Sequence, residues 1–227
     1  MAEVSPTLVT SEERTQAMAV EEVRRDYGNG MRYKGEARVE DGVFEGKGTL
    51  WVLFSGPRPG STWGGWVYSG EWKNGKKEGH GTMKSLPPNC TFADGADGVV
   101  VSNAGGGVTA MAAVAGNGEQ TWEEGTYSAY EYSGGWKGDK MDGMGTEKTA
   151  AGEYTGSWRG GLRHGFGTFL HRDTGDKYVG QWKDGLEHGE GKEVAGGSGD
   201  VQEGTWVAGL LHGFGRQVER GGNVLYE

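Results

Sequence analysis

The sequence predicts an all-β chain: an elongated single-layer antiparallel meander of stacked β-hairpins, with an N-terminal arm or short helix and one irregular insertion. Three observations predict it. A frame of Tyr, Gly and Trp recurs along the chain at near-constant intervals. Turn dipeptides follow that frame at a fixed offset. Finally, 47 of the 227 residues are Gly, beside nine Trp, nine Tyr and six Phe. Disordered Gly-rich chains are poor in aromatics, so this mixture points to a folded chain with many tight turns. Gly does not fall at every third residue, which excludes a collagen-like helix.

Internal repeats decide the fold when they are present. The segment from Tyr154 reads Tyr-Thr-Gly-Ser-Trp-Arg-Gly-Gly-Leu-Arg-His-Gly-Phe-Gly, and the one from Tyr178 reads Tyr-Val-Gly-Gln-Trp-Lys-Asp-Gly-Leu-Glu-His-Gly-Glu-Gly. The shared frame, Tyr-x-Gly-x-Trp-x-x-Gly-x-x-x-Gly-x-Gly, also fits Tyr68, Gly70, Trp72, Gly75, Gly79 and Gly81. A further copy has Tyr132, Gly134, Trp136, Gly143 and Gly145, with Asp139 where the middle Gly would stand. Another has Gln202 in place of Tyr, then Gly204, Trp206, Gly209, Gly213 and Gly215. A worn copy begins at Tyr33, with Ala37 in place of Trp and a longer turn. The intervals from Tyr132 onward are 22, 24, 24 and 24 residues, which puts Tyr226 where a seventh copy would begin.

Offsets 0, 2 and 4 hold Tyr, Gly and Trp, alternating with polar residues such as Ser69 and Glu71. That is strand period, with both aromatics on one face. A Gly between them lets the rings lie over backbone. Asn74-Gly75, Gly160-Gly161, Asp184-Gly185 and Ala208-Gly209 supply two-residue hairpin turns, whose central residues need positive φ. Second turns are expected at Asp173–Asp176, Gly196–Asp200 and Gly221–Asn223. The opposite face reads as polar and carries a basic row, Lys73, Lys137, Arg159 and Lys183.

Four regions follow. Residues 1–30 form an N-terminal arm, with a capping box at Thr10-Ser-Glu-Glu13 and a short amphipathic helix or extended arm over 15–25. Residues 31–84 hold the first repeats. Residues 85–131 break the period, with a hairpin expected from Thr91 to Val101, an apolar stretch at 109–115, and a decayed copy at Trp122 and Gly125. Residues 132–227 hold the regular repeats. A long insertion is either a loop or a partner-binding element.

The frame closely resembles the MORN repeat, the membrane occupation and recognition nexus motif, over residues 33–84 and 132–227. The resemblance implies an elongated, twisted antiparallel sheet. It also implies a scaffold, since members built only of repeats include ciliary radial-spoke head proteins and protist cytoskeletal scaffolds. Junctophilins and the regulatory part of some plant phosphatidylinositol phosphate kinases belong to the same family.

Composition narrows the function. Net charge is −9 and pI about 5.2, which argues against nucleic acid and disfavours charge-driven membrane contact. Cys90 is the single cysteine, which suits a reducing compartment. The N-terminal residues lack the basic start and apolar stretch of a secretion signal, and no apolar run is long enough to span a bilayer. His164, His188 and His212 share one offset, but residues in adjacent hairpins lie about 9.5 Å apart, too far for a shared zinc. Asp94 and Asp97 have too few companions for calcium. Gly46-Lys-Gly-Thr49 lacks phosphate-loop spacing. No catalytic residue, metal or cofactor is expected.

The leading expectation is a non-catalytic scaffold in a large protein assembly, ciliary or axonemal (radial-spoke-like) or cytoskeletal, in the cytoplasm. Partners are other proteins or a second copy of the chain. The repeat aromatics set the core and a docking face: Tyr33, Tyr68, Trp72, Tyr132, Trp136, Tyr154, Trp158, Tyr178, Trp182, Trp206 and Tyr226. The basic row would meet a lipid headgroup or an acidic partner. Phospholipid tethering and an accessory role in an enzyme complex are the alternatives.

Overall fold

The computed structural model of the chain describes residues 19–55, 62–88, 90–92, 98–102, 108–113, 130–220 and 224–226. The expectations for Thr10–Glu13, Asp94, Asp97, Trp122, Gly125 and Gly221–Asn223 lie outside these residues.

Every regular element among the described residues is a strand. The first five are β1 (Val20–Asp26), β2 (Met31–Arg38), β3 (Phe44–Ser55), β4 (Thr62–Lys73) and β5 (Lys76–Leu86). The insertion holds β6 (Cys90–Phe92), β7 (Gly98–Ser102) and β8 (Val108–Ala113). Then come β9 (Glu131–Lys137), β10 (Lys140–Lys148), β11 (Gly152–Arg159), β12 (Leu162–His171), β13 (Lys177–Lys183) and β14 (Leu186–Val194). β15 (Val201–Val207), β16 (Leu210–Val218) and β17 (Val224–Tyr226) complete the chain. Fourteen strands form one antiparallel sheet in chain order, with β5 pairing directly with β9 across the insertion. Apart from the β5–β9 step, pairing joins strands consecutive in the chain, so each hairpin touches mainly its neighbours.

Residues 20–26, left open above as helix or arm, form strand β1, paired along its whole length with β2. The reason is edge satisfaction. The worn repeat's first strand would otherwise expose a row of unpaired backbone groups.

The hairpin turns have the predicted conformation. Asn74, Asp184 and Ala208 take φ of 51–52°, each followed by a positive-φ Gly. In the irregular copy the order is Gly138-Asp139, and both are again positive. Each turn also bonds to the preceding hairpin. The amides of Gly75, Asp139, Gly161, Gly185 and Gly209 donate to the carbonyls of Phe44, Lys77, Met141, Arg163 and Glu187.

The pair of glycines that ends each frame has two separate jobs. Opposite Gly70–Trp72 the register slips, because β5 carries a bulge through Glu78, Gly79 and His80. Gly79 turns that bulge at φ 67°, a conformation that strains any side chain with a Cβ. Gly81 lies in ordinary extended backbone, but the Tyr68 ring rests on it.

The insertion changes the single-layer picture in one place. Strands β6–β8 form a separate antiparallel sheet, and the expected hairpin from Thr91 to Val101 is its first half. Cys90, Phe92 and Val99 pack on Trp51, Leu53, Val67 and Leu86, on the face opposite the repeat tyrosines. Those four large apolar residues need cover, and the insertion supplies a second layer there. Arg32 closes the rim, with Cζ 4.2 Å from the Phe92 ring centre.

Candidate functional site

The two faces of the long sheet are built differently. On the tyrosine face, the Tyr and Trp of successive frames form one continuous edge-to-face ladder. It runs Trp72, Tyr68, Trp136, Tyr132, Trp158, Tyr154, Trp182, Tyr178, Trp206. Neighbouring ring centres are 5.0–5.3 Å apart with planes at 79–90°. Such pairs contribute about 0.5–1.5 kcal/mol each beyond area burial. Every ring also anchors its polar atom. The Tyr68, Tyr132, Tyr154 and Tyr178 hydroxyls donate to the carbonyl three residues on, at 2.9–3.0 Å. The indole N–H of Trp72, Trp136, Trp158, Trp182 and Trp206 donates to Gly48, Gly81, Gly145, Gly167 and Gly191, in the preceding hairpin. The indole therefore ties one repeat to the one before it.

The worn first copy joins the same ladder. Tyr33 donates to the Glu36 carbonyl at 2.8 Å and meets Trp72 edge-on. Ala37 lacks the indole, and Phe44, its cross-strand partner, fills the space. The Phe44 ring stacks on Tyr33 at 3.6 Å.

These aromatics are core. From Tyr33 to Trp206 the predicted docking aromatics are 0–6% exposed. Their rings are roofed by longer side chains. Lys77 lies over Trp66, Tyr68 and Trp136. Arg163 lies over Tyr154, Phe169 and Trp182 while pairing with Glu147 at 2.8 Å. A partner meeting this face would touch Lys77, Arg163 and the partly buried Trp66 and Tyr130 before the ladder itself. Tyr226 sits in β17 opposite Gln217, on the last strand of the sheet.

On the opposite face, hydroxyls line up across the strands, as in the pairs Thr49–Ser69 (3.0 Å), Thr82–Ser133 (3.1 Å) and Thr146–Thr155 (3.0 Å). Lys73, Lys137, Arg159 and Lys183 are all exposed along one margin of this face, as the alternation predicts. They pair across the turns with Lys76, Lys140, Leu162 and Leu186.

That hydroxyl face is less polar than the sequence suggested. Met144 (64% exposed), Phe166 (61%) and Leu210 (72%) stand on it without cover, with Leu162, Leu170 and Leu186 beside them. Two open grooves meet at Phe166. One, of about 610 Å³, is lined by Val179, Glu190, Lys192, Glu203 and Arg216 as well. The other, of about 540 Å³, is lined by Arg159, Gln181, Lys183, His164 and His188. The signal for these residues lay in the repeat itself. Leu follows the turn Gly in three copies, and the middle residue of Gly-x-Gly is Met or Phe in the copies ending at Gly145 and Gly167.

The nucleophile and metal inventories are short. Cys90 is buried, its thiol donates to the Pro87 carbonyl at 2.8 Å, and burial pushes its pKa up to about 12. A thiol held protonated is a poor nucleophile. Among the described residues no three His, Cys, Asp or Glu side chains are placed to hold a metal.

A one-dimensional stack of hairpins tied by shared rings defines a repeat protein. The MORN repeat family model matches residues 68–85, 132–153, 154–175, 178–196 and 203–218. The chain belongs to the MORN-repeat proteins. The Tyr33 copy lies outside the matched segments, yet it continues the same ladder. No curated relative matches the chain. The repeats are consistent with binding of protein or membrane, and the fold is a repeat scaffold of no known enzyme family.

Proposed function

We propose that the chain is a non-catalytic scaffold subunit that holds other proteins in a large assembly, of the ciliary or axonemal (radial-spoke-like) or cytoskeletal kind. One observation carries the reading. The sheet is an open strip, with edges at β1 and β17 and one face of its C-terminal half uncovered by any second layer among the described residues. Open edges and a single layer favour association, because both leave groups that a partner satisfies. The ciliary or cytoskeletal setting rests on analogy with repeat-only relatives in the family. A tagged full-length chain should resist detergent extraction along axonemes or cytoskeletal fibres and sediment in a complex larger than a monomer. A freely diffusing, partnerless monomer would overturn the proposal.

A second reading, phospholipid tethering, is favoured by one local feature. Lys73 faces Lys76, and Lys137 faces Lys140, on adjacent hairpins. These two turns carry four ammonium groups, interleaved with the Glu78 and Asp139 carboxylates and against the chain's overall charge of −9. Flotation with phosphatidylserine vesicles tests it. Charge reversal at Lys73 and Lys137 should abolish any flotation that these turns cause.

A further inference from the structure

We propose that the hydroxyl face of β10–β16 is a docking groove for an acidic amphipathic protein segment, anchored on Phe166. The proposal rests on the scaffold reading and names the surface and the partner chemistry it implies.

The chain itself shows what this face needs. Over β3–β5 its apolar residues are roofed by the insertion, leaving Trp51 4% and Leu86 1% exposed. Over β10–β16 the same face carries Met144, Phe166 and Leu210 at 61–72% exposure, with no roof among the described residues. Phe166 shares this face with Leu162 and Leu170 of its own strand and with Met144 two strands away. Apolar side chains that neighbour one another mark an interaction surface, whereas scattered ones do not. Phe166 is the shared wall of both grooves, which are shallow and open along the sheet. A large exposed aromatic flanked by hollows has the form of an interface anchor.

Charge selects the occupant. Across the two grooves the cations outnumber the carboxylates: Lys192, Arg216, Arg159 and Lys183 stand against Glu190 and Glu203. Arg159, Lys177 and Lys183 make no ion pair among the described residues. An acidic chain thus presents uncommitted cations beside exposed leucines on this one surface. Like charge opposes a second copy docking through the same face, and carboxylates interleaved with apolar side chains would satisfy it. The net charge of −9 opposes the approach of an anionic bilayer.

The test uses the full chain with a fluorescent synthetic peptide of alternating glutamate and leucine, read by anisotropy. Saturable binding is expected. Phe166→Ser and the pair Arg159→Glu with Lys183→Glu should each weaken it about tenfold or more, as anchor residues do. Phe166→Leu should retain most of it, and Lys73→Glu with Lys137→Glu should leave it within about twofold. Phe166 is exposed, so these variants should keep the parent's thermal melt. Absence of saturable binding overturns the proposal. So does equal loss from the Lys73 and Lys137 reversals. Binding of phosphatidylserine vesicles that depends on Phe166, without peptide binding, also overturns it in favour of a membrane.

A photo-crosslinking residue placed in cells at position 166, and separately at Val20 in β1 and Val224 in β17, separates the two levels of the argument. Adducts at 166 that map to an acidic, apolar-rich segment support the groove. Adducts only at 20 or 224 overturn the groove and leave the scaffold standing. Adducts at none of the three overturn both.

Discussion

The ring of Tyr154 rests on Gly167 of the facing strand, so that a Cβ on Gly167 would meet the tyrosine Oη, Cε2 and Cζ inside 3.0 Å. The same relation joins Tyr68 to Gly81, Tyr132 to Gly145 and Tyr178 to Gly191. It explains how a single-layer sheet buries a large aromatic completely. The ring lies flat on bare backbone, and the backbone supplies the second wall.

Replacing Gly167 by Ala should therefore destabilise the fold by about 1–3 kcal/mol, as overpacking a filled site does. Gly197→Ala is the control, since nothing lies within 4 Å of its Cβ position and its φ is not positive. That change should stay within about 0.5 kcal/mol. Urea unfolding of the two variants against the parent measures both. Equal stability of the two would contradict the ring-on-glycine account.

Much of this was legible in the sequence, for a physical reason. A repeat encodes each contact several times, so Tyr-x-Gly-x-Trp gave the strand, the shared face and the register together. Positive φ at Asn74 and Gly75 followed from the turn chemistry alone. Three features were missed. That Phe44 takes the place of the missing indole at Ala37 depends on a cross-strand neighbour, and nothing in the spacing marks it. The fold of residues 20–26 as a strand is a tertiary choice, made by pairing with β2. The exposed Phe166 was hidden by an expectation that the second face is uniformly polar. An exposed apolar residue on a strand reads the same in sequence whether it awaits a partner or sits alone.

The Trp158 indole should matter beyond its own burial. It touches Tyr132 and Tyr154 and bonds to Gly145, so it joins two neighbouring hairpins. Trp158→Ala should cost about 3–5 kcal/mol. It should also split the unfolding transition, because a stack coupled through nearest neighbours comes apart at a broken interface. Trp206→Ala, near the end of the ladder, should lower stability and leave the transition single. Calorimetry separates the cases, and a single sharp transition for Trp158→Ala would refute the role of the indole as coupler.

Buried phenols make the strip sensitive to alkali. Burial pushes the Tyr154 and Tyr178 hydroxyls up to about 12, and drives those of Tyr33, Tyr68 and Tyr132 further in the same direction. The unfolded chain releases the same protons near the ordinary phenol value, about 10. Between these values the folded state binds more protons than the unfolded one, so stability falls as pH rises. The contribution should be complete below about pH 10 and should fade from there upward through the folded values. Phenolate absorbance at 295 nm should rise together with loss of the β-sheet circular dichroism signal. Ionisation of these tyrosines near pH 10 with the sheet intact would show that they are not buried as described.

Phe44 and Ala37 offer the sharpest test of how the worn repeat works. Ala37 is fully buried and faces Phe44 across β2 and β3, and the Phe44 ring stacks on Tyr33 and meets Trp72 edge-on at 5.2 Å. Restoring the repeat's indole by Ala37→Trp should overpack the site and cost about 1–3 kcal/mol. Phe44→Ala should open a cavity and cost up to about 3–5 kcal/mol. If Phe44 occupies the space of the missing indole, the two changes relieve each other. The double variant should then be more stable than the sum of the singles predicts by about 1 kcal/mol or more, the size expected for residues in direct contact. Simple additivity in urea unfolding would mean that Phe44 merely covers Tyr33, and that the first hairpin joins the ladder through Tyr33 and Trp72 alone.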